Sequence, residues 1–262
     1  MMRTIPIQGL EVPEAWRGTV RALLAEDVPP EWLVWSDGQA PTLFESSPTL
    51  APPSDALVLP KSFVRLAETV LMHRQSEKFG LLYRIAWRLR YGRLRMADLS
   101  DADVVRAAHI AKAVGRDIHK MRAFVRFREV REGDTARFVA WFEPDHLIVR
   151  ANAGFFVRRF AAMRWSILTP DLCIHWDGER VTESAGLAER PDLNDDGIEQ
   201  LWTRYYASIF NPARLKVAAM VKELPRRYWK NLPEAELIPG LIAAAKGREA
   251  EMLVTADQAA KR

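Results

Sequence analysis

A change of hydrophobic period near Phe124 constrains this chain more than any other feature of its sequence. Before it, apolar residues recur every three or four positions, as on one face of a helix; after it, they alternate, as on a half-buried strand. Trp16, Val20, Leu23 and Leu24 predict a helix over 13–27, with Pro13 in its first turn and Val28-Pro29-Pro30 ending it. A short strand is expected at 32–35. Phe63, Leu66, Ala67 and Val70 predict a helix over 60–74. Phe79, Leu82, Tyr83, Ala86 and Leu89 predict another over 76–91, with Ser76 as its N-cap. A further helix is expected from about Ser100, turning Val104, Ala108, Ala111 and Ile118 inward. Beyond it, Val125 and Phe127 alternate with Arg126 and Arg128, so 124–130 and 137–142 read as a hairpin around Arg131-Glu132-Gly133-Asp134. A helix at 145–162 and strands at 165–168 and 172–176 follow. Helices are expected again at 196–210, 213–223 and 232–246.

The fold class is therefore α+β: a helical N-terminal half, a small, mostly antiparallel sheet in the middle, and C-terminal helices. The expected division is 1–54 (N-terminal helix, short strand and a Pro/Ser-rich linker), 55–246 (the main α+β domain) and 247–262 (a frayed tail). At 262 residues and 48% hydrophobic content the chain can bury a sizeable core. No apolar run approaches the roughly 20 residues of a membrane span, and the N-terminus lacks a secretory signal pattern. Cys173 is the only cysteine, which excludes an internal disulfide and any four-cysteine metal or iron–sulfur site. A cytoplasmic location is expected, with no membrane partner and no cofactor.

Charge is unevenly spread. Residues 61–131 hold 17 Lys/Arg against 7 Asp/Glu, and residues 204–230 hold 7 against 1. Such asymmetry favours a polyanion-facing surface. Lys112, Arg116 and Lys120, four apart, would share a helix face. Arg126 and Arg128 mix with Phe124 and Phe127, and Arg226 and Arg227 with Tyr228 and Trp229. Phosphate neutralisation combined with base stacking uses this mixture. These nine basic and aromatic residues (Lys112, Arg116, Lys120, Arg126, Arg128, Arg226, Arg227, Tyr228 and Trp229) are the candidate nucleic-acid contacts. The competing reading makes the rings core and the arginines their wet neighbours.

No phosphate-cradling glycine loop, nucleophile elbow or histidine pair at zinc spacing is present. The densest polar cluster is Glu143-Pro144-Asp145-His146 at a strand end. It makes Glu143 a candidate general base with His146 beside it, and His119 a third member. Alternatively, Asp145 simply caps the helix after it.

Seven strings carry a resemblance: LLYRIAWRL at 81–89, DIHKMRAFVRFRE at 117–129, WFEPDH at 141–146, FVRRF at 156–160, RWSILTP at 164–170, YYASIFNPAR at 205–214 and RYWKNLPE at 227–234. Together they resemble the domain of unknown function 4130 family, from about Trp16 to Lys246. The resemblance implies a DNA-repair context, since such domains are often fused to family-X uracil-DNA glycosylases and relatives accompany a radical-SAM protein. It implies no established catalytic residues. This chain carries no glycosylase motif and too few cysteines for a radical-SAM cluster, so a partner polypeptide would supply either chemistry. The expected function is a DNA-binding accessory module beside a separate repair enzyme. The alternatives are an enzyme acting on nucleic acid or nucleotides through a His119/Glu143/His146 centre, and a protein-interaction scaffold.

Overall fold

The computed structural model describes residues 2–37, 58–98, 100–132, 135–190 and Tyr228, with the side chains of 131–136 left aside. The architecture is α+β, with five helices and two small sheets among the described residues. No helix among them is long and apolar enough to cross a membrane. The chain divides into two units, Met1–Ile118 with Asp145–Ile148, and His119–Pro144 with Val149–Arg262.

In the first unit, β1 (Arg3–Pro6) precedes α1 (Pro13–Ala25), whose buried Trp16, Val20, Leu23 and Leu24 fall at helical spacing. The helix ends because Asp27 takes a left-handed φ of 53°. Its N–H then returns to Leu24 O and that of Val28 to Leu23 O, which satisfies two terminal carbonyls. β2 (Leu33–Ser36) pairs in parallel with β1, Arg3 opposite Leu33. α2 (Lys61–Leu71) and α3 (Glu77–Arg90) follow, burying Phe63, Ala67 and Val70, and Phe79, Leu82 and Tyr83. Tyr83 is fully buried and donates its hydroxyl to Val28 O at 2.7 Å. Burying each such apolar side chain stabilises the unit by about 1.5–3 kcal/mol.

The next helix, α4 (Ala102–Phe124), starts two residues after the expected Ser100. Asp101 sets that start, accepting the backbone N–H groups of Asp103 and Val104, each at 3.1 Å. Ser76 stands at the N-cap of α3 without a side-chain capping bond. Ala108 is exposed rather than inward; Val104, Ala107 and Val114 make the buried line instead.

The second unit holds a five-stranded sheet in the order β3-β4-β5-β6-β7. β3 (Arg128–Glu132) and β4 (Thr135–Trp141) form the antiparallel hairpin. α5 (Val149–Arg159) leads to β5 (Trp165–Leu168), which runs parallel to β4. β6 (Leu172–Trp176) and β7 (Val181–Ala185) add antiparallel strands. α5 packs on the face carrying Trp165 and Ile174, with Phe156 6.1 Å from the Trp165 ring centre.

Two further element starts differ from the periodicity by four residues each. The strand expected from Phe124 starts at Arg128, because α4 continues to Phe124 and Val125 N–H still bonds Met121 O. Val125 and Phe127 alternate inward with no ladder partner; Arg128, opposite Val139, is the first paired residue. The helix expected from Asp145 starts at Val149. Its first residues are drawn off by tertiary bonds, His146 N–H to Asp117 Oδ2 (2.9 Å) and Leu147 N–H to Met72 O (2.8 Å). Asp145 is therefore not the helix cap.

Candidate functional site

α4 presents the polar surface that sequence spacing predicts. Lys112 and Arg116 are exposed and make no ion pair or hydrogen bond with another described residue. Basic side chains nearby in the fold behave differently. Arg84 bonds Asp103 at 2.8 Å, Arg88 pairs with Asp101, and Arg106 with Glu77. Those arginines tie helix to helix, and Lys112 and Arg116 do not. His119, one turn further on, is exposed and likewise without a partner among the described residues.

Downstream residues are drawn into the second unit's own packing. Lys120 Nζ lies 5.9 Å from the centre of the Tyr228 ring. Tyr228 is 2% exposed, stacked at 7° and 5.3 Å on Phe142, with Phe124 5.9 Å away. Its ring is therefore core, and a base has no free face of it to stack on. Phe127 packs edge-on to Phe156 and Phe160, so it too is core. Arg126 Nη1 donates to Ala123 O at 2.7 Å, satisfying a carbonyl at the end of α4, where the helix dipole favours a cation. Arg128 sits on β3 opposite Val139. Arg226, Arg227 and Trp229 lie outside the described residues, as do Tyr205 and the helices expected after 196.

Of the three residues expected as a catalytic centre, His119 and Glu143 belong to the second unit and His146 to the first. Glu143 accepts the Trp141 indole N–H at 2.8 Å. His119 makes no hydrogen bond with a described residue. His146 belongs to a corner of the first unit, where its ring lies 4.4 Å from that of His73. In that corner Lys78 is 2% exposed and donates to Leu71 O (2.7 Å) and His73 O (2.6 Å). Burial lowers its pKa to about 8. His73 falls below the usual histidine range, first through burial and then through the Lys78 charge. A neutral His73 with Nδ1 accepting from Gln75 N–H carries its proton on Nε2. Asp117, also 2% exposed, takes the His146 backbone N–H. Lys78 spends its protons on the end of α2, and Asp117 holds the segment that carries His146. The corner's chemistry is thus positional.

A family model described as a domain of unknown function, DUF4130, matches residues 76–234. The chain belongs to this family. Neither curated proteins nor solved structures yield a match. The DUF4130 region takes in α3, α4, the sheet and the buried Lys78 and Asp117; α1, α2 and the β1–β2 pair precede it. No group of three or more His, Cys, Asp or Glu side chains among the described residues is placed to hold a metal.

Sequence reasoning passed over Lys78 and Asp117. A signal existed for the first, because Lys78 shares the apolar stripe of α3 with Leu82 and Ile85 at helical spacing. None existed for Asp117, which reads as one more charge on a helix until its backbone partner appears.

Proposed function

We propose that this DUF4130 protein is a nucleic-acid-binding accessory module that serves a separate DNA-repair enzyme. One observation carries the reading: Lys112 and Arg116 stand exposed on α4 without carboxylate partners among the described residues, while Arg84 and Arg88 of α3 are neutralised. Lys120 follows four residues along the same helix, which suits a row of phosphates. The repair context rests on the family resemblance, and the chemistry would reside on the partner.

Fluorescence anisotropy with single-stranded, duplex and uracil-containing DNA at two salt concentrations tests it. Binding should weaken steeply with salt. Lys112→Glu/Arg116→Glu should cut affinity and lower the slope of log K against log salt by about 2, one for each phosphate no longer neutralised. A variant that keeps wild-type affinity and slope would overturn the α4 assignment. A folded protein that binds none of the three DNAs would favour the scaffold reading.

A further inference from the structure

We propose that the hollow between α1 and α2 in the first unit binds a small carboxylic acid with an apolar body. The hollow measures about 210 Å3, and all its lining residues lie within 13–71. Its position follows from side-chain size. On α2, Phe63, Ala67 and Leu71 lie four residues apart and form one row. The Ala67 methyl leaves space between two large neighbours. Trp16 and Val20 of α1 line the same space, and the Trp16 ring centre is 6.2 Å from that of Phe63. All five residues are buried, so the floor is apolar. Val58, 87% exposed, also lines the hollow, which therefore opens to solvent. Space with an apolar lining holds water poorly, and a cavity of about 150 Å3 of this kind accepts benzene. A single ring or a short alkyl chain is the body that fits.

The rim supplies the charge. Three ionic side chains line the hollow, Arg17, Arg21 and Glu68. Arg17 bonds Glu14 at 2.7 Å and has Glu68 3.8 Å away, so its charge is matched. Arg21 stands one turn further along α1 on the same side. It is exposed and makes no ion pair or hydrogen bond with another described residue. An unmatched guanidinium beside an apolar floor favours an anion with an apolar body. A carboxylate is the planar partner that the arginine fork takes in two hydrogen bonds. Pockets for small molecules commonly combine an apolar lining with a few polar groups that fix orientation. The hollow lies wholly before residue 76, where the DUF4130 match begins, and shares no residue with the Lys112/Arg116 surface.

The test is NMR of the full chain titrated with 3-phenylpropanoate and, separately, with its neutral amide. The reporter is the Trp16 indole N–H, which is buried without a hydrogen-bond partner among the described residues. Its resonance is assigned by its loss in Trp16→Phe. A saturable shift with each ligand, several-fold tighter for the acid, is the expected result. Arg21→Gln alters only an exposed side chain. It should weaken the acid about 3- to 5-fold, the worth of one exposed ion pair, and leave the neutral ligand unchanged. Val64→Trp, at the half-buried lip of the hollow, should abolish both shifts while the rest of the backbone spectrum stays in place. Lys112→Glu/Arg116→Glu should change neither shift, which keeps this site distinct from the α4 surface. No saturable shift in the wild type, or shifts that persist in folded Val64→Trp, overturn the site. Equal affinity for the acid and its amide, or an acid affinity that Arg21→Gln leaves intact, overturns the carboxylate assignment.

Discussion

Lys78 shows how one side chain sets a pH response. Folded, it loses its proton near pH 8, whereas the unfolded chain holds one to about 10.5. Between these values the unfolded chain binds more protons, so stability should rise with pH across that window. Lys78→Met should abolish the rise while leaving Leu71 O and His73 O without their donor; urea unfolding of both proteins at pH 7.5 and 9.5 measures it. Gly186 is constrained from another direction. A Cβ there would stand 2.1 Å from Pro170 O, a backbone atom that cannot swing away. Gly186→Ala should therefore cost about 1–3 kcal/mol, read as a lower denaturation midpoint. Neither constraint is visible in composition, since both depend on which atoms the fold brings alongside.

At the scale of elements, α4 joins the two kinds of argument. Its exposed Lys112 and Arg116 followed from spacing, while its start depended on Asp101, which caps the helix and pairs with Arg88 of α3. Asp101→Ala removes both roles and should cost about 1–2 kcal/mol. Asp101→Asn keeps the capping oxygen and should cost less, as thermal unfolding of the pair would report. α5 shows the opposite case. Its expected first turn was helical in pattern, yet Asp117 and Met72 O offered better partners to the 146 and 147 amides. β7 went unanticipated because every residue in it is exposed, which leaves no alternation to read.

Across the whole molecule, both histidines with resolved shifts, His73 and His175, lie below the ordinary 6.5, each chiefly through burial. The unfolded chain takes up protons first as the solution is acidified. Stability should therefore fall as pH drops from about 6.5, a loss that denaturation at pH 7 and pH 5 should detect. His175→Gln should reduce the fall, with His73 retaining its share. The same burial removes Tyr228 from the candidate DNA contacts, since its ring completes an aromatic stack with Phe142 and Phe124.

By itself the sequence determined the α+β class, the stripes of α1, α2 and α3, the hairpin, and the exposed cations of α4. Each is a local pattern, because one face of a helix or strand must meet the core and the other water. Only the tertiary structure decided that Tyr228 is core, that the His146 ring meets that of His73, and that Ser166, His175 and Ser184 share one sheet face. Those outcomes depend on which strand lies beside which, and on which buried donor finds an acceptor far away in the chain. Periodicity records whether a residue turns inward; it does not record what the residue meets there.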